Sequence, residues 1–411
     1  MSSAHRQRVL IISQFYKPES CAAANRVSAL AAAFASAGSD VTVLTGMPSF
    51  PQGKVEQAYR GRLFVTEYDG SIAVKRVWTF ASPGGSAMER LLNWMSVATG
   101  MLLYVLFQRR AIDLVVVSSP PVTLTLPALA AAWRSRAHLI ADIRDVFPEV
   151  AIGMGMWRKT GFMTRAVTAL ADQLYRRAAF VVAVTEGARA EILQHGVPPS
   201  KVIVAPNGAD AVESAREAAL FVRGRHDFVI TYVGNMGVAA SLDTVLDAAK
   251  LLLDDPAFRF IMIGGGALER ELRRRAQDEE ITNVSFLGVL PRECAVRALG
   301  DCDVCIVPLR AGLTRSLPTK IFDAFSVGCA VIVAADGEAR NFVQEAGGGV
   351  AVAPEDPAAL AAAIRRLRSD PASLLEYRQN ARRFLSKRYD RSAIMNELVA
   401  HVGMIGPAHA G

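Results

Sequence analysis

Cysteine is scarce in this chain of 411 residues: there are five, an odd number, and they are scattered. No disulfide framework can be read from them, and a reducing compartment is expected. Cys302 and Cys305 have CxxC spacing, but the pair runs into the apolar strand-like stretch Val304–Val307 and no second Cys or His pair completes a zinc site, so both read as core. Aromatic residues make up 7% and never interleave with basic clusters in the manner of a nucleic-acid module. A dinucleotide fingerprint is missing too, because the run Gly264-Gly265-Gly266 meets Glu269 where a further glycine is needed. No internal repeat is visible, and low complexity is confined to the Ala-rich stretch Ala358–Leu367. No secretory signal is expected at the N-terminus, where Arg6 and Arg8 precede only the short run Val9–Ser13. Histidines are few, and His195 reads as a helix-end residue rather than a catalyst.

What is present is a hydrophobic fraction of 51% against 21% charged residues, the balance of a packed soluble protein. The length exceeds what a single core usually supports, so two domains are expected. The net charge of +7 is unevenly spread: residues 1–205 hold 22 basic and 13 acidic side chains, the remainder 24 and 26. A basic first half beside a near-neutral second half points to a polyanionic partner. An anionic membrane surface fits better than nucleic acid.

Short apolar runs alternate with helical patterns throughout, beginning with Arg8–Ser13, a loop over Gln14–Asn25, a helix Arg26–Ala37 and a strand Val41–Thr45. This is the signature of parallel, doubly wound α/β sheets. Leu63–Tyr68 and Ile72–Val77 read as a hairpin around Asp69-Gly70. The stretch Leu91–Phe107 carries no charge and is followed by Arg109 and Arg110. It is short for a membrane span; a buried helix and an interfacial one are equally expected, and Trp94 with the cationic flank suits the interface. Further on, strands end at Ser118 and at Asp142. In open parallel sheets ligands bind at the carboxyl ends of strands, which makes Asp142, Arg144, Asp145 and Glu149 candidates for holding a substrate or accepting its proton. The alternative is a structural ion-pair network at a strand end.

The densest constellation is Ser316–Ala339. Pro318 sits at the start of a helical run with Ser316 and Thr319 as expected caps, and Lys320 follows on the first turn. Unpaired N–H groups and partial positive charge at a helix N-terminus favour an anion there. Gly234-Asn235-Met236-Gly237 is a second small-residue turn, between the strand Asp227–Val233 and the helix Ser241–Leu253. A basic turn, a helix, the strand Ala330–Ala334 and the acidic turn Asp336-Gly337-Glu338 together resemble the donor-sugar site of family 4 glycosyltransferases. Similarity is greatest to the branch containing colanic-acid and L-fucosamine transferases. Pro206-Asn207-Gly208-Ala209-Asp210 matches the motif that closes the first domain of that family.

The resemblance implies a GT-B architecture, α/β, with two Rossmann-like doubly wound domains facing a central cleft. The domains would be residues 1–207 and 208–389, with a last helix, 390–404, packing back on the first. It implies a retaining transferase that moves a sugar, an N-acetylated deoxy- or aminosugar, from a nucleotide diphosphate, most simply a UDP-sugar. The acceptor would be polyprenyl-diphosphate-linked, the protein peripheral on the cytoplasmic face of the plasma membrane, and no cofactor or metal required. Asp301-Cys302-Asp303 imitates a metal-binding DxD but leads into a buried strand. The implied donor residues are Gly234, Asn235, Gly237, Val289, Pro318, Thr319, Lys320, Asp323, Gly337 and Glu338. Lys320, Arg315 and Asp145 carry the catalytic expectation, and Glu19, Asn25, Ser118, Asp142, Arg144 and Glu149 the acceptor side. Two departures stand out. Arg315 occupies the first position of the family's paired-acid motif, whose second falls at Asp323, and the basic pair usual near Gly234 is missing. A nucleotide-sugar 2-epimerase and a non-catalytic nucleotide-sugar-binding protein are the rival expectations.

Overall fold

Every strand of the first sheet except one runs parallel, and the side chains explain why. The first three central strands, β1 (Arg8–Ile12), β2 (Asp40–Gly46) and β5 (Leu114–Ser119), are rich in Val, Ile and Leu and are buried on both faces, as a sheet covered by helices requires. The computed structural model describes residues 6–82, 86–210, 220–221 and 223–403. Within it the chain divides into two compact units, one of residues up to Asn207 together with those from Arg391 onward, the other Gly208–Asp390.

The first unit carries eight strands in the order β3-β4-β2-β1-β5-β6-β7-β8, adding β3 (Phe64–Asp69), β4 (Ile72–Val77), β6 (His138–Ile143), β7 (Phe180–Ala183) and β8 (Val202–Val204). The exception to parallel pairing is β3, joined to β4 as an antiparallel hairpin at the sheet edge. Helices α1 (Ala22–Ser36), α2 (Ala87–Phe107), α3 (Thr125–Ser135), α4 (Glu149–Gly153), α5 (Phe162–Arg177) and α6 (Glu186–Gln194) complete it. The chain reverses its direction of build between β1 and β5, so the loops that follow these strands lie at the topological switch point.

The second unit repeats the plan with six strands, order β11-β10-β9-β12-β13-β14: β9 (Phe228–Val233), β10 (Phe258–Ile263), β11 (Val284–Gly288), β12 (Val304–Pro308), β13 (Ala330–Ala334) and β14 (Gly349–Val352). All its pairings are parallel. Between the strands come α7 (Leu242–Lys250), α8 (Glu269–Asp278), α9 (Arg292–Asp301), α10 (Thr319–Ser326) and α11 (Glu338–Ala346), followed by α12 (Pro357–Ser369) and α13 (Pro371–Arg388). Its switch point lies between β9 and β12. Cys302 and Cys305 are fully buried in it, and the Cys302 thiol lies 3.4 Å from that of Cys329. The final helix, α14 (Arg391–Gly403), belongs to the first unit, where Met395, Leu398, Val399 and Val402 share a core with Val27, Leu30 and Phe34 of α1.

Two local expectations need correction. Helix α1 starts four residues earlier than the helix expected from Arg26. Cys21 caps it, its sulfur accepting from the Ala24 N–H at 3.5 Å, and the alanines that follow have high helix propensity. Neither Ser316 nor Thr319 caps α10. Pro318 occupies the cap position and contributes no side-chain hydrogen bond, so the first turn keeps its N–H groups clear of a side-chain cap. Helix α7 starts where the sequence places it: after Gly237 comes a single 3-10 turn, Val238–Ala240, and Ser241 enters the helix in a left-handed conformation.

Helix α2 is buried along one face only. Val97, Ala98, Met101 and Val105 are buried in the domain core, while Leu92, Met95, Leu103, Leu106 and Phe107 on the other face are exposed. A capping box formed by Ser86 and Glu89 opens the helix.

Candidate active site

The two switch points bring different chemistry to the strand ends. In the second unit the site is built from backbone. Strand β9 is followed by Gly234, whose φ of 137° only glycine adopts comfortably. The next loop approaches so closely that a Cβ on Gly264 would lie 2.0 Å from the Gly234 carbonyl oxygen, and one on Gly266 would lie 2.5 Å from the Asn235 amide oxygen. A Cβ on Gly265 would meet Val289 at 2.8 Å, so Val289 lies against the same floor. Asn235 and Val289 are exposed above it.

Lys320 enters this floor from the first turn of α10. Its ammonium donates to the Tyr232 hydroxyl at 3.0 Å and stands 4.1 Å from the centre of the Tyr232 ring. Tyr232 is itself buried and donates to the Asn235 carbonyl at 2.6 Å, so one aromatic ring positions both the lysine and the turn. A Cβ on Gly234 would lie 3.2 Å from the Lys320 nitrogen, which leaves the cation directly against the glycine turn. The lysine is half-buried, so a preorganised cation faces a glycine-lined surface beside an uncapped helix N-terminus.

The remaining residues expected on the donor side cluster at the same edge. Gly337 has φ 68°, and a Cβ there would clash with the Thr314 carbonyl at 1.8 Å, while the Glu338 N–H donates to that carbonyl at 2.7 Å. The loop 309–318 is therefore stitched to the start of α11, and the Arg310 N–H ties it to Ala239 at 3.0 Å. Arg315 is exposed on this loop. Gly237 is half-buried between Asn235 and the 3-10 turn. Asp323, one turn beyond Lys320, already accepts from Arg292 of α9 at 2.6 Å. Pro318 and Thr319 are half-buried at the mouth of α10. Of the DxD look-alike, Asp303 accepts from Arg223 at 2.6 Å and from the Val229 N–H at 2.7 Å, which commits it to structure.

The first unit's strand ends carry side-chain networks instead. Ser118 and Asp142 are register partners on β5 and β6. Asp142 is 1% exposed and accepts from Arg26 of α1 at 2.7 and 3.0 Å, and the Ser118 hydroxyl lies 3.4 Å away. Arg26 also donates to the Ala205 and Pro206 carbonyls at 2.9 and 3.1 Å. The acceptor-binding expectation for Asp142 is therefore corrected: its carboxylate is spent on a buried ion pair, and no surface remains for a ligand. Ser118 is equally buried and accepts from Arg144 at 3.0 Å; Arg144 also reaches the Pro120 carbonyl. Both serve to aim Arg144, which stays half-exposed.

Glu149 opens α4 and is half-buried. One of its oxygens lies 3.3 Å from His195, whose other ring nitrogen lies 2.7 Å from Asp172. Held chiefly by the Glu149 hydrogen bond and then by Asp172, against the opposing cost of burial, His195 titrates at about 9. It caps the C-terminal end of α6 as expected and clamps α4 to α5. Asp145 is solvent-accessible, yet the protein crowded around it raises its carboxyl above the usual carboxylate range, with the Arg144 charge opposing. Asn25 is half-buried on the first turn of α1.

Glu19 is a buried, half-satisfied acid. It is 4% exposed, and one oxygen accepts from the Ser49 and Phe50 N–H groups at 2.9 and 3.0 Å. The other oxygen is buried with no protein partner. Burial lifts its pKa to about 7, partly offset by those N–H groups. Its place in the first loop was legible; the buried, half-satisfied state was not. Arg26 was missed altogether, because its partner lies 116 residues away and nothing local marks it.

Two matches to known domains tile the chain. Residues 22–208 match the family described as "Glycosyl transferase 4-like domain", and residues 227–370 the family described as "Glycosyl transferases group 1". The putative colanic acid biosynthesis glycosyl transferase WcaI of Escherichia coli is 25% identical over 95% of this chain and 99% of its own length. The probable glycosyltransferase WbjE of Pseudomonas aeruginosa is 26% identical over 61% of this chain and 65% of its own. Among solved structures, Anabaena HepE in complex with UDP superposes with a TM-score of 0.67 at 17% identity, covering 97% of this chain and 100% of that one. WaaG, described as a glycosyltransferase involved in lipopolysaccharide biosynthesis, also gives 0.67, at 14% identity over 97% and 100%. These superpositions assign the two α/β domains to the GT-B class.

Proposed function

The chain belongs to the family 4 glycosyltransferases, and from that premise we propose that it transfers a sugar, with retention of anomeric configuration, from a nucleotide diphosphate to a polyprenyl-diphosphate-linked acceptor. The product would serve surface-polysaccharide synthesis, the setting that the name of the colanic acid relative supports. HepE was solved with UDP, which favours a UDP-sugar donor, and an N-acetylated deoxy- or aminosugar is the sugar class we favour. The protein would work from the cytoplasm, peripherally at an anionic membrane surface suited to its basic first half.

The observation that carries this reading is Lys320, half-buried, fixed by Tyr232 and set against Gly234 at the mouth of α10. In the reaction the bond from the anomeric carbon to the diphosphate oxygen breaks while a bond to the acceptor hydroxyl oxygen forms. Negative charge grows on the departing diphosphate as the sugar becomes oxocarbenium-like. A cation already in place, together with first-turn N–H groups, stabilises that charge without reorganisation. The acceptor proton would pass to the departing phosphate oxygen on the same face, so no protein base is required. Asp145, raised in pKa at a strand end, is the candidate to orient the acceptor hydroxyl, and Arg144, aimed by Ser118, the candidate for its diphosphate. On the donor side Gly234, Asn235, Gly237 and the helix mouth at Pro318-Thr319 would hold the phosphates, with Arg315 as a second cation. Val289 would flank the base, and Gly337 and Glu338 the sugar. Asp323 would reach the ribose only as part of its pair with Arg292. No metal or cofactor enters this scheme, because Lys320 and the helix N-terminus take the place of a divalent ion.

The test is a panel of UDP- and GDP-sugars offered with membranes carrying polyprenyl-linked acceptor, the product's anomeric configuration being read by NMR. Acceptor-dependent product of retained configuration supports the reading. An inverted product would remove the mechanism, and nucleotide binding without turnover on any donor would remove the activity.

A further inference from the structure

Glu19 sits in a seam between two loops of the first unit. Strands β1 and β2 are parallel partners, and the segments that leave their carboxyl ends, residues 13–21 and 47–53, run side by side. The Thr45 hydroxyl and the Gly46 N–H both donate to the Gln14 carbonyl, at 3.1 and 3.2 Å. The rings of Phe15 and Phe50 meet edge-on with centres 5.8 Å apart. Loop 47–53 is pinned at its root, where the Met47 N–H donates to the Thr79 hydroxyl at 2.8 Å. It folds back on itself through the Gly53 N–H and the Ser49 carbonyl, also 2.8 Å apart, and its tip, Pro51 and Gln52, is exposed. In open parallel sheets a ligand lies over loops of this kind, at the carboxyl ends beside the switch point.

Glu19 ties the two loops together with only half of its carboxyl. Oε1 accepts both the Ser49 and the Phe50 N–H, while Oε2 is enclosed without a hydrogen-bond partner. Such a site suits the neutral acid: Oε1 serves the two N–H groups as a carbonyl oxygen, and one hydroxyl goes unpaired. The ionised acid keeps those bonds but buries charge on an oxygen that nothing solvates, which costs more. The ionisable neighbours do not reverse this. Arg76 of β4 favours the charged form, yet its guanidinium is already shared among Glu67 and the Lys17 and Gly46 carbonyls. The Tyr16 hydroxyl is given to Asp69, and loop 47–53 brings no ionisable side chain. Burial raises the Cys21 thiol most, and Glu19 and Arg144 act on it in opposite senses, so the acid lies near the cation proposed for the acceptor diphosphate.

We infer that Glu19 is a positioning residue of the first unit's strand-end site: protonated, it latches loop 47–53 against the β1 loop, and on ionising it lets that loop open and hydrate the freed oxygen. The latch does not depend on the activity proposed above; its effect on the acceptor rests on that reading.

Hydrogen exchange of the full chain, read by mass spectrometry on peptides covering residues 47–53 and corrected for intrinsic rates, follows the loop without any substrate. The closed loop holds its proton up to about pH 7, an opened and solvated acid only to about 4.5. Closure is therefore favoured at low pH, and wild-type protection should fall about tenfold or more between pH 5 and pH 8. Glu19→Gln keeps an oxygen for both N–H groups and has no proton to lose, so its protection should be high and level with pH. Glu19→Ala should lose protection at every pH. With membranes carrying polyprenyl-linked acceptor, the wild-type acceptor KM should rise across the same window and stay level in Glu19→Gln, a difference that a merely structural carboxyl would not produce. Wild-type protection independent of pH, or an equal fall in Glu19→Gln, would overturn the inference. An acceptor KM indifferent to the latch would overturn its role in the site. A working latch in a protein that transfers no sugar would remove the transferase reading and leave the latch standing.

Discussion

The two switch points of this molecule solve the same problem with different materials. The strand ends of the second unit, the proposed donor side, are made of backbone: Gly264 and Gly337 let main chain approach main chain, and Gly234 leaves room for the Lys320 ammonium. The strand ends of the first unit, the proposed acceptor side, are made of side-chain pairs, Arg26 with Asp142, Arg144 with Ser118, and Glu149 with His195. A phosphate binds many N–H groups whatever the sugar above it, so backbone suffices on one side. An acceptor has to be discriminated, and discrimination needs side chains held at fixed angles.

The largest way to break this contrast is Asp142→Ala. It leaves the Arg26 guanidinium buried without its partner and should cost about 3–5 kcal/mol in chemical denaturation, through the first domain alone. Nucleoside-diphosphate binding, proposed for the second domain, should change little, as titration calorimetry would show. Equal loss of donor binding would mean that the two sides are not separately built.

Next comes Gly337→Ala. The added Cβ meets the Thr314 carbonyl, and the backbone is left-handed, so the donor loop must shift; a strained residue of this kind costs about 1–3 kcal/mol. Donor KM should rise with little change in the melting of the first domain. Tyr232→Phe is milder: it keeps the ring under Lys320 but removes the hydroxyl that fixes it, for about 1 kcal/mol or roughly a fivefold slower transfer.

A pH series sharpens the comparison on a separate axis. Glu19 in the folded protein has a pKa of about 7, above its unfolded value near 4.5. It therefore binds its proton more tightly when folded, and its stabilising contribution is complete below pH 4.5 and lost as pH rises to about 7. Wild-type stability should fall across that window, and Glu19→Gln should flatten the fall. His195, also raised, contributes in a separate window, complete below about 6.5 and lost as pH rises through about 9.

The uneven legibility of the two sides follows from the same physics. Lys320, Pro318 and the glycine turns declare themselves because a helix start, a proline and a glycine each leave a local mark. The alternating apolar runs, buried on both faces, likewise announce parallel sheets. Arg26 left no mark: an arginine at that point of an Ala-rich helix looks like a solvated surface residue until α1 is packed on the sheet. Asp142 misled for the complementary reason, since a strand-end carboxylate is placed equally well for a ligand or for a buried cation. Helix α2 was ambiguous because an apolar helix reads the same whether core or lipid covers it. The division of its faces, Val97 and Met101 inward and Leu103 and Phe107 outward, exists only once the sheet is there.

The most direct test of the central claim is the rate of acceptor-dependent nucleoside-diphosphate release by wild type and by Lys320→Ala, each with its fold verified by melting. If Lys320 is the preorganised charge on the leaving group, the variant should lose about 3 kcal/mol of transition-state stabilisation, a drop of roughly a hundredfold in turnover, with donor affinity changed far less. Turnover unchanged in Lys320→Ala would contradict the account and move the chemistry away from the mouth of α10.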